Sequence, residues 1–99
     1  MRFNDKCYQL LSKIPKGKVS TYKEIARALD TKAYRAVGNA MANNPNPIIV
    51  PCHRVINSNG LIGGYALGIN RKISLLKKEG IPVENGKISD YKKFLFYFK

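Results

Sequence analysis

The stretch "STYKEIARALDTKAYRAVGNAMA" (residues 20–42) decides the fold of this chain. Thr21 and Glu24 match a T-x-x-E capping box, in which a hydroxyl and a carboxylate satisfy free amides of the first helical turn. Apolar residues at helical spacing follow, so we expect a helix over about residues 21–29. A second helix comes after a very short turn. Two short helices joined in this way indicate a helix-turn-helix unit.

The second helix of this unit carries a glycine near its centre. We expect it over about residues 32–42, with Asp30 or Thr31 as its cap and Gly38 in its middle. A glycine in a helix costs about 1 kcal/mol relative to alanine, so something has to approach the backbone closely. The glycine allows close approach either to the wall of a groove in which the helix lies or to the preceding helix. The sequence does not distinguish these two explanations.

Two further helices flank this unit. An apolar stripe predicts a helix over about residues 3–13, in which Cys7 is a core residue and which ends before Pro15. Another helix is expected over about residues 70–79, closed by Gly80.

Short β-prone runs and turns occupy the rest of the chain. The runs "IIV" (48–50) and "RVI" (54–56) lie on either side of a cysteine, and "NSNG" (57–60) and "ENGK" (84–87) are turns. Half of the aromatic residues fall in the last nine positions, where we expect them to seal the core rather than to stack on bases.

The length and composition fit one globular domain. The chain has 99 residues, of which 44% are hydrophobic. We therefore expect a single domain over residues 1–99, mostly α with short β elements, of the winged-helix-like helix-turn-helix type.

The charge balance points to a polyanionic partner. Eighteen Lys and Arg stand against six Asp and Glu, which gives a net charge of +12 at pH 7. The alternative is a solvated surface that binds nothing in particular, so the charge needs support from motifs.

Other classes of protein are disfavoured. No apolar run approaches the roughly 20 residues of a membrane span, and the N-terminal stretch contains Asp5 and lacks a small-residue cleavage site, so we expect a cytosolic protein. The only cysteines are Cys7 and Cys52, so we expect neither a disulfide framework nor a zinc site.

The stretch "NPIIVPCHRVIN" (residues 46–57) places Cys52 directly before the only histidine, His53. A thiol becomes reactive when a nearby base or cation favours its ionised form. Neighbouring residues on a strand point to opposite faces, so contact between these two side chains requires a bend, which Pro51 favours, or a bridging water.

A histidine that acts as a base usually needs an acidic residue to orient it. Glu79 is the best of the few acidic residues, because it ends an apolar helix; the others considered are Glu24, Glu84, Asp30 and Asp90. The competing interpretation is that the Cys-His pair is packed core. A Cys-His hydrolase would also need an oxyanion hole, and nothing in the sequence suggests one.

These motifs together resemble the O6-alkylguanine-DNA alkyltransferases. The resemblance runs in order through "IPKGKVSTYKEIA", "RAVGNAMANNPNPIIVPCHRVI", "GLIGGYALG" and "LLKKEG", and covers about residues 8–80. It implies a repair protein that flips an alkylated guanine, mainly O6-methylguanine, out of double-stranded DNA and moves the alkyl group irreversibly onto its own cysteine. It implies no cofactor and no metal, and we expect a monomer with no membrane partner.

The resemblance also implies the catalytic roles. Cys52 is the alkyl acceptor, His53 deprotonates it through a water, and Glu79 orients the imidazole. Asn44 braces the active-site turn. Tyr22 contacts the flipped base and helps to protonate the departing guanine.

The same resemblance implies a DNA-binding face on the second helix of the unit. Arg35 fills the gap left by the flipped nucleotide, and Tyr22 also contacts DNA. Ala36, Ala40 and Met41 are the small or apolar residues of a helix lying in the minor groove, which also accounts for the central glycine.

The guanine pocket implied by the resemblance is built from two parts of the chain. Tyr22 and the backbone of Cys52 and Val55 form one part, and the loop around Tyr65 and Ala66 forms the other. Many relatives have serine at the position of Ala66.

Two alternatives accompany this hypothesis. The first is a relative without chemistry: alkyltransferase-like proteins bind damaged bases but carry tryptophan at the position of the cysteine, and Cys52 argues against that variant. Most relatives also carry an additional N-terminal domain, which we do not expect in this chain. A winged-helix regulator without chemistry would explain the charge and the helices but not "PCHRV" together with Glu79.

Overall fold

The computed structural model describes residues 2–65 and 67–98. Over these residues four α-helices, one parallel pair of strands and two 3₁₀ turns follow one another. In chain order they are α1 (Phe3–Leu11), β1 (Ser20–Thr21), α2 (Tyr22–Ala28), α3 (Tyr34–Ala42), a 3₁₀ turn (Cys52–Arg54), β2 (Val55–Ile56), α4 (Ile69–Lys78) and a 3₁₀ turn (Tyr91–Phe94). The prediction of a mostly helical domain with short β elements and a helix-turn-helix is confirmed.

Helix α2 begins at the predicted cap. The hydroxyl of Thr21 accepts a hydrogen bond from the Glu24 N–H at 3.0 Å. The Glu24 carboxylate pairs with Arg27 at 3.0 Å, one turn further along the exposed face. The N-cap half of the capping box therefore forms, while the carboxylate serves an i,i+3 ion pair.

Helix α3 begins later than predicted. Ala33 is its N-cap residue and supplies no side-chain bond, so the prediction that Asp30 or Thr31 caps this helix is wrong. The Thr31 hydroxyl accepts from the Ala33 N–H at 3.1 Å and so stabilises the turn, not the helix end. Asp30 takes a left-handed conformation with φ of 55°, in which the chain reverses between the helices.

The first core cluster lies between the three N-terminal helices, because α3 packs against both α1 and α2. Cys7 is fully buried there, as the apolar stripe of α1 predicted. The cluster consists of Cys7, Leu11, Ile14, Ile25, Ala26, Val37, Ala40, Met41, Cys52 and Val55.

The strands bring the cysteine region beside the start of α2. Ser20 pairs with Val55 and Thr21 with Ile56 in a parallel arrangement, so the "RVI" prediction holds for its last two residues. Because Tyr22 follows β1 directly, this pairing places the first turn of α2 next to the chain that carries the cysteine.

The β-prone run "IIV" does not form a strand. Pro47 and Val50 form an isolated bridge, and the chain turns between them at Ile48, which has a φ of 80°. Ile49 at the tip is 82% exposed. The β-branched composition is overridden because hydrogen bonds from Asn44 hold this loop bent.

The last residues close the fold, as predicted from their aromatic content. The N–H of Val19 donates to the Phe94 carbonyl at 2.9 Å, and the Phe96 N–H donates to the Val19 carbonyl at 2.7 Å. Phe96 and Phe98 pack on the first core cluster, while Tyr97 stays exposed. A second cluster lies beneath α4 and contains Val19, Ile56, Ile62, Leu76, Ile81, Val83 and Ile88.

Two chain segments, 57–62 and 84–88, pair with each other, and we name them the wing. The Ile62 N–H donates to the Gly86 carbonyl and the Ile88 N–H donates to the Gly60 carbonyl, each at 3.0 Å. Both predicted turns lie in the wing. Among the helices described in the structure, none has the length and apolar character needed to cross a membrane.

Candidate active site

Cys52 opens a 3₁₀ turn at the end of the loop that follows α3, residues 43–51. Pro51 precedes it with a ψ of 64°, and the Cys52 N–H donates to the Val50 carbonyl at 2.7 Å. This turn supplies the bend that the Cys-His pair requires, because the two residues no longer alternate as they do on a strand. Cys52 is 4% exposed and His53 is fully buried.

His53 lies in a hydrogen-bonded network with Glu79 and Arg54. The distance from His53 Nε2 to Glu79 Oε2 is 3.0 Å. Arg54 donates to both carboxylate oxygens, from Nε to Oε1 at 2.9 Å and from Nη2 to Oε2 at 2.8 Å. Its Nη1 donates to the Ile14 carbonyl at 2.8 Å, so the guanidinium ties α4 to the end of the α1 region.

The pKa values of this network favour a neutral imidazole beside a carboxylate. Burial lowers the pKa of His53, and this outweighs the opposing effect of Glu79. Burial alone raises the pKa of Glu79, but hydrogen bonds from Arg54 and His53 lower it overall. Nε2 therefore carries the proton and donates to the carboxylate, which leaves Nδ1 as an acceptor.

His53 Nδ1 is a buried acceptor that has no hydrogen-bond partner among residues 2–65 and 67–98. Buried polar atoms are nearly always paired, so this acceptor is available to a water or to a proton.

A half-open pocket of about 240 Å³ lies over the cysteine. It is lined by Tyr22, Gly38, Met41, Ala42, Cys52, Gly64 and Tyr65. The structure thus brings together residues from α2, α3, the 3₁₀ turn and the loop before α4.

The two pocket tyrosines keep their protons. Burial raises the pKa of Tyr22 and of Tyr65, and the proximity of an ionised Cys52 would raise both further. The Tyr65 hydroxyl is a buried group without a partner in the described part of the chain. Both phenols can therefore donate a hydrogen bond to a ligand in the pocket.

Asn44 holds the loop that leads to the cysteine. Its Nδ2 donates to the Val50 carbonyl at 2.8 Å, and its Oδ1 accepts from the Asn46 N–H at 2.9 Å. The same Val50 carbonyl accepts from the Cys52 N–H, so Asn44 and Cys52 share one anchor.

The predicted DNA-binding residues of α3 fall on different sides of the helix. Arg35 is exposed and Ala36 is half-buried, while Met41 is largely buried and lines the pocket. The prediction that Ala40 contacts DNA is wrong, because its side chain is fully buried in the first core cluster. Its carbonyl accepts from the Tyr8 hydroxyl at 2.9 Å, so it faces α1.

Val55 and Ala66 are the remaining residues of the predicted guanine pocket. Val55 is fully buried and does not line the pocket, and its carbonyl accepts from Lys72 Nζ at 2.7 Å. The predicted contact between the Val55 backbone and a bound guanine stays a prediction. Ala66 lies outside the described residues.

Sequence reasoning missed Arg54 and Lys72. Lys72 is fully buried, and its Nζ donates to the Val55 carbonyl and, at 3.0 Å, to the Gly64 carbonyl. A signal existed, because Lys72 occupies the i+3 position of the apolar stripe that Ile69, Ile73 and Leu76 form on α4. Arg54 gave no comparable signal, since its partners lie 25 and 40 residues away.

The structure decides the reason for Gly38. A Cβ at this position would meet no atom within 4 Å, so close packing against α2 does not require a glycine. Gly38 lines the pocket instead. The same holds for Gly64, which also lines the pocket and has open space at the Cβ position.

The family described as "6-O-methylguanine DNA methyltransferase, DNA binding domain" matches residues 2–81. The chain belongs to this family. It spans about half or less of the length of the curated relatives that it matches.

Three comparisons show where its similarity lies. The chain is 51% identical to a methylated-DNA–protein-cysteine methyltransferase of Saccharolobus solfataricus, over 77% of this chain and 49% of the relative. It is similar to Mycobacterium tuberculosis OGT, solved in complex with DNA, with 46% identity and a TM-score of 0.78, over 81% of this chain and 49% of that one. S. pombe Atl1, solved with damaged DNA containing O6-carboxymethylguanine, aligns over 99% of this chain and 100% of its own, with 35% identity and a TM-score of 0.84.

Proposed function

We propose that this family member transfers the alkyl group of O6-alkylguanine, mainly O6-methylguanine, from duplex DNA to the sulfur of its own Cys52. The observation that carries the proposal is the position of Cys52 in a half-open pocket, next in the chain to a histidine that Glu79 orients. The relative from Saccharolobus solfataricus, named for this reaction, supports it.

The first step is activation of the thiol. His53 Nδ1 is free to accept a proton, and it takes the Cys52 proton through a bridging water. The imidazolium that forms is stabilised by the Glu79 carboxylate, whose own charge is held by Arg54.

The second step moves the alkyl group. The Cys52 thiolate attacks the alkyl carbon, a carbon–sulfur bond forms, and the bond between that carbon and guanine O6 breaks. The departing guanine takes a proton from Tyr22, whose raised pKa keeps the phenol protonated until the negative charge develops. The product is a thioether, which is a poor leaving group, so each molecule reacts once.

Delivery of the base requires flipping from the duplex. Arg35 is exposed on α3 and suited to fill the space left in the stack, since its guanidinium combines charge with a planar stacking surface. Gly38 and Ala36 keep the helix surface low where the DNA has to approach. The net charge of +12 supports attraction to the phosphate backbone.

A second candidate is a damage sensor without chemistry. The alignment with S. pombe Atl1 over nearly the whole of both chains favours it. The cysteine in the pocket favours transfer, because a sensor has no need of a nucleophile beside an oriented histidine.

The decisive experiment is the intact mass of the protein after incubation with duplex DNA containing O6-methylguanine. We expect one added methyl per chain, on the peptide that contains Cys52, and none in Cys52→Ala. Cys7→Ala is the matched control: this thiol is fully buried in the core, so the variant should still be methylated. Damage-specific binding without any adduct would favour the sensor, and an adduct on Cys7 would contradict the assignment of the acceptor.

A further inference from the structure

The family match ends at residue 81, and we call residues 82–98 the C-terminal segment. It is nevertheless built into the wing. In addition to the backbone bonds of the wing, the Tyr91 hydroxyl donates to the Ser58 carbonyl at 2.6 Å. A Cβ at Gly60 would approach the Tyr91 ring to 3.1 Å, so the ring rests directly on the turn.

The tip of the wing, residues 57–59, separates two clefts. The first cleft lies toward the helix-turn-helix and is lined by Tyr22, Lys23, Tyr34, Asn57, Ser58 and Asn59. The second cleft lies toward the C-terminal segment and is lined by Asn59, Lys87, Ile88, Asp90, Tyr91, Lys92 and Lys93. Asn59 lines both, so the two clefts meet at the tip.

The second cleft is strongly basic. Lys87, Lys92 and Lys93 are exposed around it, against the single carboxylate of Asp90. Within the described residues, none of these lysines forms a salt bridge. Three ammonium groups with one opposing charge repel one another, and a polyanion placed among them relieves this repulsion.

We propose that this second cleft binds the phosphate backbone of duplex DNA and extends the contact beyond α3. The choice of DNA rests on the proposed function. It follows from adjacency, because the first cleft meets the second at Asn59 and contains Tyr22, which also lines the pocket over Cys52. A duplex docked on α3 passes the wing tip, and its backbone then meets the three lysines.

The contact has a measurable signature. Each phosphate neutralised by a lysine releases counterions, which adds about 0.9 to the slope of log K against log salt concentration. Loss of three contacts should therefore lower the slope by up to about 3. A lysine that acts only through net charge, without touching phosphate, changes the slope much less.

The experiment compares two triple variants with equal loss of charge. The test variant replaces Lys87, Lys92 and Lys93 by Gln, and the control replaces Lys16, Lys77 and Lys78, three exposed lysines that line neither cleft. Duplex affinity is measured as a function of salt by fluorescence anisotropy. We expect the slope to fall by two to three in the test variant and by less than one in the control, consistent with about 0.9 per contact. Equal changes in both variants would overturn the proposal.

A second comparison uses duplex length. The test variant should match the control on the shortest duplex that still supports transfer, and fall behind it as the duplex is extended toward the wing. Indifference to duplex length would also overturn the proposal. Transfer from free O6-benzylguanine, if the wild type performs it, should be equal in all three proteins, which verifies that they are folded. Failure of transfer in the wild type would speak against the proposed chemistry, whereas the salt slopes test the cleft separately.

Discussion

Replacement of Gly38 by alanine should make the protein more stable and less active. Glycine inside a helix is less favourable than alanine by about 1 kcal/mol. The added Cβ meets no atom within 4 Å, so no strain offsets this gain. We therefore expect stabilisation by about 1 kcal/mol, which for a domain of this size raises the Tm by about 4–8 °C.

The same substitution should slow the proposed methyl transfer. The new methyl group projects from α3 at the pocket, where the alkylated nucleotide enters in the proposed reaction. A displacement of the reacting atoms by about 1 Å can cost about 100-fold in rate. We expect methyl transfer from duplex DNA to slow by ten- to a hundredfold, about 1.4 to 2.7 kcal/mol in the barrier.

Thermal unfolding and single-turnover transfer, measured on the same samples, test both halves of this prediction. Asn39→Ala is the matched control, because Asn39 is the exposed neighbour on the same helix and lies outside the pocket. It should stabilise the helix by a smaller amount, about 0.5 kcal/mol, and leave transfer unchanged. Destabilisation by Gly38→Ala would refute the reasoning, since it would mean that the glycine serves packing.

Two further predictions concern charged residues. Burial lowers the pKa of Lys72 from its ordinary 10.5 to about 8. Between these two pH values the unfolded chain therefore binds more protons than the folded one. The free energy of unfolding should rise by up to about 3 kcal/mol as the pH increases from about 8 to 10.5. Urea unfolding of the wild type and of Lys72→Met measures this, and an equal rise in the variant would assign the effect to other groups. Arg35→Ala should slow transfer from duplex DNA by more than tenfold, because the flipped state costs a few kcal/mol of unstacking, while transfer from free O6-benzylguanine stays near the wild-type rate. If saturating DNA restored the wild-type rate of transfer from duplex DNA in Arg35→Ala, the role of Arg35 would be phosphate binding and not filling of the stack.

Some features could be predicted from the sequence because they depend on neighbours within a few residues. The cap at Thr21 acts on an amide three positions away, and the apolar stripe of α1 repeats every three or four residues. The β-branched "IIV" run misled for the opposite reason. Its conformation is set by side-chain hydrogen bonds from Asn44, which propensity does not describe.

By itself the sequence determined the helices, the helix-turn-helix and, through its resemblance to a family, the residues Cys52, His53 and Glu79. Only the tertiary structure decided how these residues meet. Arg54 joins Glu79 to a carbonyl 40 residues before it, and Lys72 is buried between two carbonyls of other segments. The packing of α3 also buries Ala40 in the core and leaves Gly38 at the pocket. Such contacts arise from packing between segments distant in the chain, and the apolar spacing within one helix does not say which distant segment will cover it.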